Sequence, residues 1–107
     1  MAILLRVQRA DGREPFTEWL VALRGKTAAA RIRVRLRQVE AGNFGDREPV
    51  GEGVIELRVH IGPGYRVYCG RYGATYVIPL CGGDKRSQAS DIKRAKTLWQ
   101  EWKRRQE

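Results

Sequence analysis

Two neighbouring segments of the chain concentrate side chains that could act on a charged substrate. Both segments alternate polar with apolar residues, and a Gly-Pro-Gly turn at 62–64 separates them. Their polar members are Glu56, Arg58, His60, Arg66 and Tyr68, and a third segment is followed by Asp84, Lys85 and Arg86. Guanidinium groups bind phosphate bidentately, and carboxylates or amines can accept a proton. The set is therefore suited to a phosphodiester substrate.

Cleavage of RNA is a reaction that such a set could perform. The ribose 2′-hydroxyl must lose a proton and attack the adjacent phosphorus, charge builds on the phosphoryl oxygens, and the 5′ oxygen leaves. Arg58 and Arg66 could hold that charge. Glu56 is one candidate for the base, and Lys85, as a neutral amine, is another. Tyr68 could stack on a displaced nucleobase or donate a proton.

Other kinds of site find little support in the sequence. The single histidine, His60, has no nucleophile partner in a recognised order and is interpreted as a surface residue of a strand. The glycines form neither a phosphate-binding loop nor a dinucleotide-binding fingerprint. Cys69 and Cys81 match no metal-ligand spacing. We therefore expect no metal and no other cofactor.

The charge of the chain indicates a polyanionic partner. The 107 residues include 21 Lys and Arg against 12 Asp and Glu, a net charge of +9. Nucleic acid is the first partner to consider, and an acidic protein is the alternative. The sequence has no apolar run long enough to span a membrane and no signal peptide. These features predict a cytoplasmic protein with reduced cysteines.

The pattern of apolar residues predicts one α+β domain over 1–107. Residues 31–37 alternate like a strand, yet apolar residues on one helical stripe and a length of 15 residues favour a helix at 27–41. A loop is expected at 43–53. The remaining elements are strands at 2–9, 54–61, 65–70 and 75–81 and helices at 16–24 and 88–105. Helices packed on one face of a mainly antiparallel sheet would complete the fold.

The predicted turn at 62–64 also predicts a strand register. Arg58 would lie opposite Tyr68, and His60 opposite Arg66, all on a solvent-facing side of the sheet. In the next hairpin, Cys81 would lie ~17 Å along the strand from the partner of Cys69, too far for a disulfide. Pro79 lies within the last predicted strand and has no backbone N–H to donate to a neighbouring strand. Either this position faces no neighbouring strand, or the strand is bulged there.

Several motifs resemble one known family along nearly the whole chain. They are GNFGD at 42–46, PVGEGV at 49–54, ELR at 56–58, GPGYRVY at 62–68 and LCGGDK at 80–85, with SQ at 87–88 and DI at 91–92. This set resembles the addiction-module killer proteins, which are HigB-like members of the RelE/ParE toxin superfamily. The resemblance implies a RelE-like fold, a ribosome-associated messenger endoribonuclease activity without a metal, and an antitoxin that neutralises it.

The resemblance also implies roles for particular residues. The working groups of RelE-like nucleases correspond to Arg58, Arg66 and Lys85, and Glu56 and Gln88 match the family pattern. Gln88 is expected to bind substrate, and so are Tyr68 and Arg86, which the predicted polar face and the charge next to Lys85 indicate rather than the resemblance. Arg86 stands where the family often has a small residue, so the choice between Lys85 and Arg86 as the cation nearest the reaction stays open. The alternatives are a ParE-like toxin that acts on DNA gyrase and a nucleic-acid-binding module without catalysis.

Overall fold

Strands and helices follow one another in the predicted order, with one additional strand. The computed structural model describes residues 3–4, 9 and 11–106. The elements are β1 (Ile3–Leu4), α1 (Pro15–Ala22), α2 (Lys26–Glu40), β2 (Arg47–Gly51), β3 (Val54–Val59), β4 (Tyr65–Tyr72), β5 (Tyr76–Gly83), a 3-10 turn (Lys85–Ser87) and α3 (Gln88–Arg105). Of the strand predicted at 2–9, Ile3–Leu4 is confirmed, residues 2 and 5–8 lie outside the described residues, and Arg9 is not in a strand.

The helices predicted from apolar periodicity are confirmed with small differences at their ends. Pro15 begins α1, where its fixed φ suits the first turn and its missing N–H removes no helical hydrogen bond. In α2 the helical stripe prevails over the alternating pattern, and Ile32, Leu36 and Val39 are buried. The predicted bounds of α3 are confirmed. Among the described helices, none has the length and apolar character needed to cross a membrane.

The sheet has the strand order β1-β5-β4-β3-β2, antiparallel from β5 to β2 and with β1 parallel to β5. The loop predicted at 43–53 is wrong over β2, which pairs with β3. A two-residue turn joins these strands, and both of its residues have positive φ, Glu52 at 57° and Gly53 at 82°. The sequence of β2, REPVG, has no hydrophobic alternation, which is why periodicity did not reveal it.

The predicted register between β3 and β4 is wrong by two residues. Arg58 lies opposite Arg66, and Glu56 lies opposite Tyr68. The strand ends at Val59, so the connection runs from His60 to Gly64 rather than over three residues. Because side chains alternate with a period of two, a shift of two residues leaves each side chain on its predicted face of the sheet, but it changes every cross-strand pair between β3 and β4.

Helices cover both faces of the sheet, so the prediction of helices on one face is wrong. One core lies under α1 and α2 and includes Leu57 and Val67. A second core lies under α3, where Tyr68 meets Trp99. Gly70 allows this packing, because a Cβ at that position would collide with the Trp99 ring. The covered second face explains why part of the predicted solvent-facing cluster is buried.

Strand β5 is bulged, which confirms one of the two options for Pro79. Pro79 lies opposite Cys69, and Cys81 opposite Tyr68, so an extra residue separates the two pairs. Cys81 therefore lies two residues, rather than five, from the strand partner of Cys69, and the predicted ~17 Å separation is wrong. Both thiols are free. Burial raises the pKa of Cys69, and it raises the pKa of Cys81 from 9.0 to about 12.

Candidate active site

An open cleft of about 430 Å³ lies where β3 and β4 meet the end of β5. It is lined by residues 58–66, which include the loop between β3 and β4, and by Lys85 of the 3-10 turn. Arg58, Arg66 and Lys85, three of the four predicted catalytic residues, therefore border one space. The fourth, Glu56, lies directly behind them.

The end of β5 is packed closely enough to fix the position of Lys85. A Cβ at Gly82 would collide with Trp19 of α1, and a Cβ at Gly83 would collide with Asp91 of α3. The turn after these glycines is capped, because the Asp84 carboxylate accepts a hydrogen bond from the Arg86 backbone N–H at 2.9 Å. Lys85 is exposed and belongs to this capped turn, whereas the sequence had indicated an irregular connection after Gly83.

Glu56 is a buried carboxylate with three partners. Only 1% of its side chain is exposed. Its Oε1 accepts a hydrogen bond from Arg58 Nε at 3.2 Å and lies 3.5 Å from Arg66 Nε, and its Oε2 accepts one from Gln88 Nε2 at 2.8 Å. A group that is closed off and fully engaged in this way is poorly placed to take a proton from a substrate. The geometry favours a positioning role for Glu56 over its predicted role as a base.

Arg58 is surrounded by carboxylates. Besides Glu56, its guanidinium contacts Glu48 Oε2 at 2.6 Å and Asp46 Oδ1 at 3.3 Å. The hydrogen bond to Glu48 is the main reason why the pKa of Arg58 is raised. These partners compensate most of its charge, so Arg58 is less available to a phosphate than its sequence pattern had suggested.

Arg66 borders the cleft with donor nitrogens that are not all satisfied. Its side chain is 11% exposed and borders the cleft. Neither Nε nor Nη1 has a hydrogen-bond partner among the described residues, and the contact to Glu56 at 3.5 Å is an ion pair without hydrogen-bond geometry. Arg58 is hydrogen-bonded to three carboxylates and Arg66 to none among the described residues, so the Arg66 guanidinium is the more available of the two to a ligand that brings acceptor oxygens.

The predicted substrate-binding residues are not brought together. Tyr68 is buried under α3, so stacking on a nucleobase is excluded in this conformation. Burial and the nearby Glu56 raise the pKa of its phenol, and its hydroxyl is closed to solvent. Gln88 is engaged with Glu56. Arg86 is 90% exposed, pairs with Asp84 at 3.5 Å and borders a different cavity from that of Lys85.

A pair that the sequence analysis missed lies at the rim of the cleft. His60 Nε2 is 2.5 Å from Asp46 Oδ2, and the His60 side chain is 75% exposed. The hydrogen bond to His60 is the main reason why the pKa of Asp46 is lowered. The two residues are 14 positions apart in the sequence, and only the β2–β3 hairpin, which periodicity had not revealed, brings them together.

Arg35 anchors the segment that carries Asp46. This buried α2 side chain donates from Nε to the Arg58 carbonyl oxygen at 3.1 Å and from Nη2 to the Asp46 carbonyl oxygen at 2.9 Å. It also donates to the Phe44 carbonyl oxygen. In the sequence Arg35 is one of several alternating arginines, and nothing distinguishes it from those that are exposed.

Within the described part of the chain, no group of three or more His, Cys, Asp or Glu side chains is placed to hold a metal ion. No family model matches the sequence. An uncharacterized protein of Haemophilus influenzae is 48% identical over 86 residues, which cover 80% of this chain and 87% of that protein. The similarity therefore extends over most of both chains.

Proposed function

The chain belongs to the same family as the uncharacterized Haemophilus influenzae protein, and from the geometry of its cleft we propose that it is an endoribonuclease. In this proposal it is the toxin of a type II toxin–antitoxin pair with a RelE-like fold. It cleaves messenger RNA on the ribosome, without a metal ion, and thereby stops translation in the cytoplasm.

The observation that carries the proposal is the state of Arg66. Two of its donor nitrogens are buried without hydrogen-bond partners among the described residues, at the wall of an open cleft. A phosphodiester offers oxygens that satisfy a guanidinium in a bidentate arrangement. Nε and Nη1 are themselves closed to solvent, so a phosphate would contact the exposed part of the guanidinium, and that interaction strengthens as charge builds on the phosphoryl oxygens.

Lys85 extends the cationic wall. It borders the same cleft as Arg66 and lies at the same end of β5, where Arg66 is opposite Gly83, so a phosphate could contact a guanidinium and an ammonium together. The net charge of +9 would draw RNA towards the protein before any specific contact forms.

The reaction proposed for this cleft is an internal transfer at phosphorus. The 2′-oxygen loses its proton to a base and forms a bond to the adjacent phosphorus, while the bond from phosphorus to the 5′ oxygen breaks. The products are a 2′,3′-cyclic phosphate and a 5′-hydroxyl. Arg66 and Lys85 stabilise the charge on the phosphoryl oxygens, and Arg58 with Glu56 keeps Arg66 in place.

The motifs behind the family resemblance coincide with this cleft, which supports the RelE-like assignment. Residues 62–68 supply the loop and the start of β4, and residues 80–85 supply the end of β5 and Lys85. The α+β architecture agrees with that fold class. A cationic nuclease acting in its own cell needs a neutralising partner, and we therefore include a cognate antitoxin protein in the proposal.

The test is induced expression in bacteria with mapping of transcript 5′ ends. Rapid arrest of translation with new ends inside messages is expected for the wild type and not for Arg66→Ala. Arg33→Ala, which removes the same charge from an exposed position on α2 outside the cleft, serves as the matched control. Induction of the DNA-damage response without new ends would indicate a gyrase-directed toxin. Normal growth and intact messages would indicate a binding module.

A further inference from the structure

We propose that His60, held by Asp46, is the general base that takes the proton from the 2′-hydroxyl. This inference rests on the endoribonuclease function proposed above and assigns the proton acceptor of that reaction. It differs from the two candidates taken from the sequence, Glu56 and Lys85, and it uses the single histidine of the chain.

The geometry around His60 fits this role. A carboxylate only accepts hydrogen bonds, so Nε2, at 2.5 Å from Asp46 Oδ2, is the nitrogen that carries hydrogen towards Asp46. In the neutral ring this leaves Nδ1 as the acceptor. Catalytic triads use the same arrangement: a carboxylate binds one nitrogen of an imidazole, and the other nitrogen of that imidazole takes the proton.

Asp46 is itself held firmly. Its second oxygen, Oδ1, contacts Arg58 Nη1 at 3.3 Å, and its carbonyl oxygen accepts from the Arg58 backbone N–H at 3.1 Å and from Arg35 Nη2 at 2.9 Å. The aspartate is therefore fixed through side chain and backbone at once. It is a positioning residue that directs the imidazole of His60.

The competing bases are less well placed. Glu56 is closed off from the cleft, and both of its oxygens are engaged. A lysine ammonium has no acceptor atom, whereas an imidazole whose one N–H faces a carboxylate keeps an acceptor nitrogen on its other side. His60 is exposed and borders the same cleft as Arg66 and Lys85.

Several charged groups face His60 and would shape its behaviour with pH. They are Asp46 before β2, Arg58 of β3, Arg66 of β4, Lys85 of the 3-10 turn, and Arg31 and Arg35 of α2. In the proposed step Nδ1 of His60 takes the proton of the 2′-hydroxyl, the 2′-oxygen bonds to phosphorus, and the 5′ oxygen leaves and takes a proton from water. The imidazolium then returns its proton to water, so the enzyme is regenerated.

The experiment measures single-turnover cleavage of a ribosome-bound message by purified wild type, His60→Ala and His60→Asn. Absence of cleavage by the wild type would reject the proposed function itself. If the wild type cleaves, His60→Ala should be slower by about 100-fold. The rate of the wild type should rise with pH across the neutral range, and that rise should disappear in His60→Ala. His60→Asn, which keeps a side chain that can donate to Asp46 but has no basic nitrogen, should be as slow as His60→Ala.

A wild-type rate in His60→Ala would overturn the inference, and so would a slow variant that keeps the wild-type pH profile. A substrate with sulfur in place of the 5′ oxygen separates base from acid, because a thiolate leaves without needing a proton. If His60→Ala cleaves this substrate as fast as the wild type does, His60 is an acid, and the assignment as base is wrong. Equal relative losses on both substrates support it.

Discussion

Gln88 donates a hydrogen bond from Nε2 to Oε2 of Glu56 at 2.8 Å, and this contact joins the first residue of α3 to the interior of β3. Glu56 holds two guanidinium groups with its other oxygen. Arg58 and Arg66 lie directly opposite each other on adjacent strands, where like charges repel. The buried carboxylate between them makes the arrangement stable, and Gln88 fixes the carboxylate.

Glu56→Gln should therefore destabilise the fold. The change leaves two neighbouring guanidinium groups without their shared carboxylate, and we expect a loss of about 2 kcal/mol in the free energy of unfolding, because Arg58 retains Asp46 and Glu48. Urea denaturation of the purified protein measures this loss. Glu40→Gln, at an exposed carboxylate on the last turn of α2, should change stability little. Equal effects of the two changes would contradict the role assigned to Glu56.

Arg66→Ala should reduce cleavage by about 100-fold, since it removes a preorganised donor to the phosphoryl oxygens. The thermal midpoint should stay near that of the wild type, because Glu56 keeps Arg58 and Gln88. Arg66→Lys keeps the charge but loses the bidentate geometry and should recover only part of the activity. Cleavage assays and thermal unfolding of the three proteins provide the comparison. If a well-expressed Arg66→Ala variant arrests growth as strongly as the wild type does, the assignment of Arg66 as a donor to the phosphoryl oxygens is wrong.

Lys85→Arg should keep most of the cleavage rate, whereas Lys85→Ala should lose much of it. A cation that binds phosphate can be replaced by another cation, but a lysine that takes the proton cannot be replaced by a guanidinium, which stays protonated. Single-turnover rates on ribosome-bound message distinguish these roles. Loss of activity in both variants would make Lys85 the base in place of His60, and full activity in both would remove it from the site.

A protein encoded beside this gene should neutralise the toxicity. Co-expression of each adjacent reading frame with the wild type, followed by measurement of growth, tests the antitoxin part of the proposal. The same frames should form a complex with Arg66→Ala that survives size-exclusion chromatography, which allows binding to be measured without toxicity. If no adjacent frame restores growth or binds, the pairing is wrong.

Much of the scaffold could be predicted from the sequence, because apolar periodicity is local. It located α1, α2 and the whole of α3, and it assigned alternate residues of β3 and β4 to opposite faces. It did not reveal β2, in which Val50 is the single aliphatic side chain and no alternation is present. It also placed Arg58 opposite Tyr68, because turn length was inferred from the Gly-Pro-Gly motif alone, and the actual connection begins at His60.

The candidate site was predicted only in part, because local patterns do not specify which elements pack together. The grouping of Arg58, Arg66 and Lys85 follows from alternation and from chain order, and the structure shows it. The burial of Glu56 depends on α3 covering that side of the sheet, which no local pattern specifies. The contact between His60 and Asp46 depends on the hairpin of β2 and β3, and β2 was not predicted. The spacing of these two residues in the sequence therefore could not reveal their contact.

The buried thiol of Cys81 should make the protein less stable at alkaline pH. Burial raises its pKa to about 12 in the folded protein, whereas an exposed thiol in the unfolded chain keeps the ordinary value of 9.0. Above pH 9 the unfolded chain therefore binds fewer protons than the folded one, so the free energy of unfolding falls as the pH rises from 9 towards 12. Urea denaturation at a series of pH values should show this fall, and Cys81→Ala should show a smaller one. The raised pKa values of Cys69 and Tyr68 act in the same direction and leave a residual slope in the variant. An identical slope in the two proteins would mean that the Cys81 thiol ionises as easily in the folded chain as in the unfolded one.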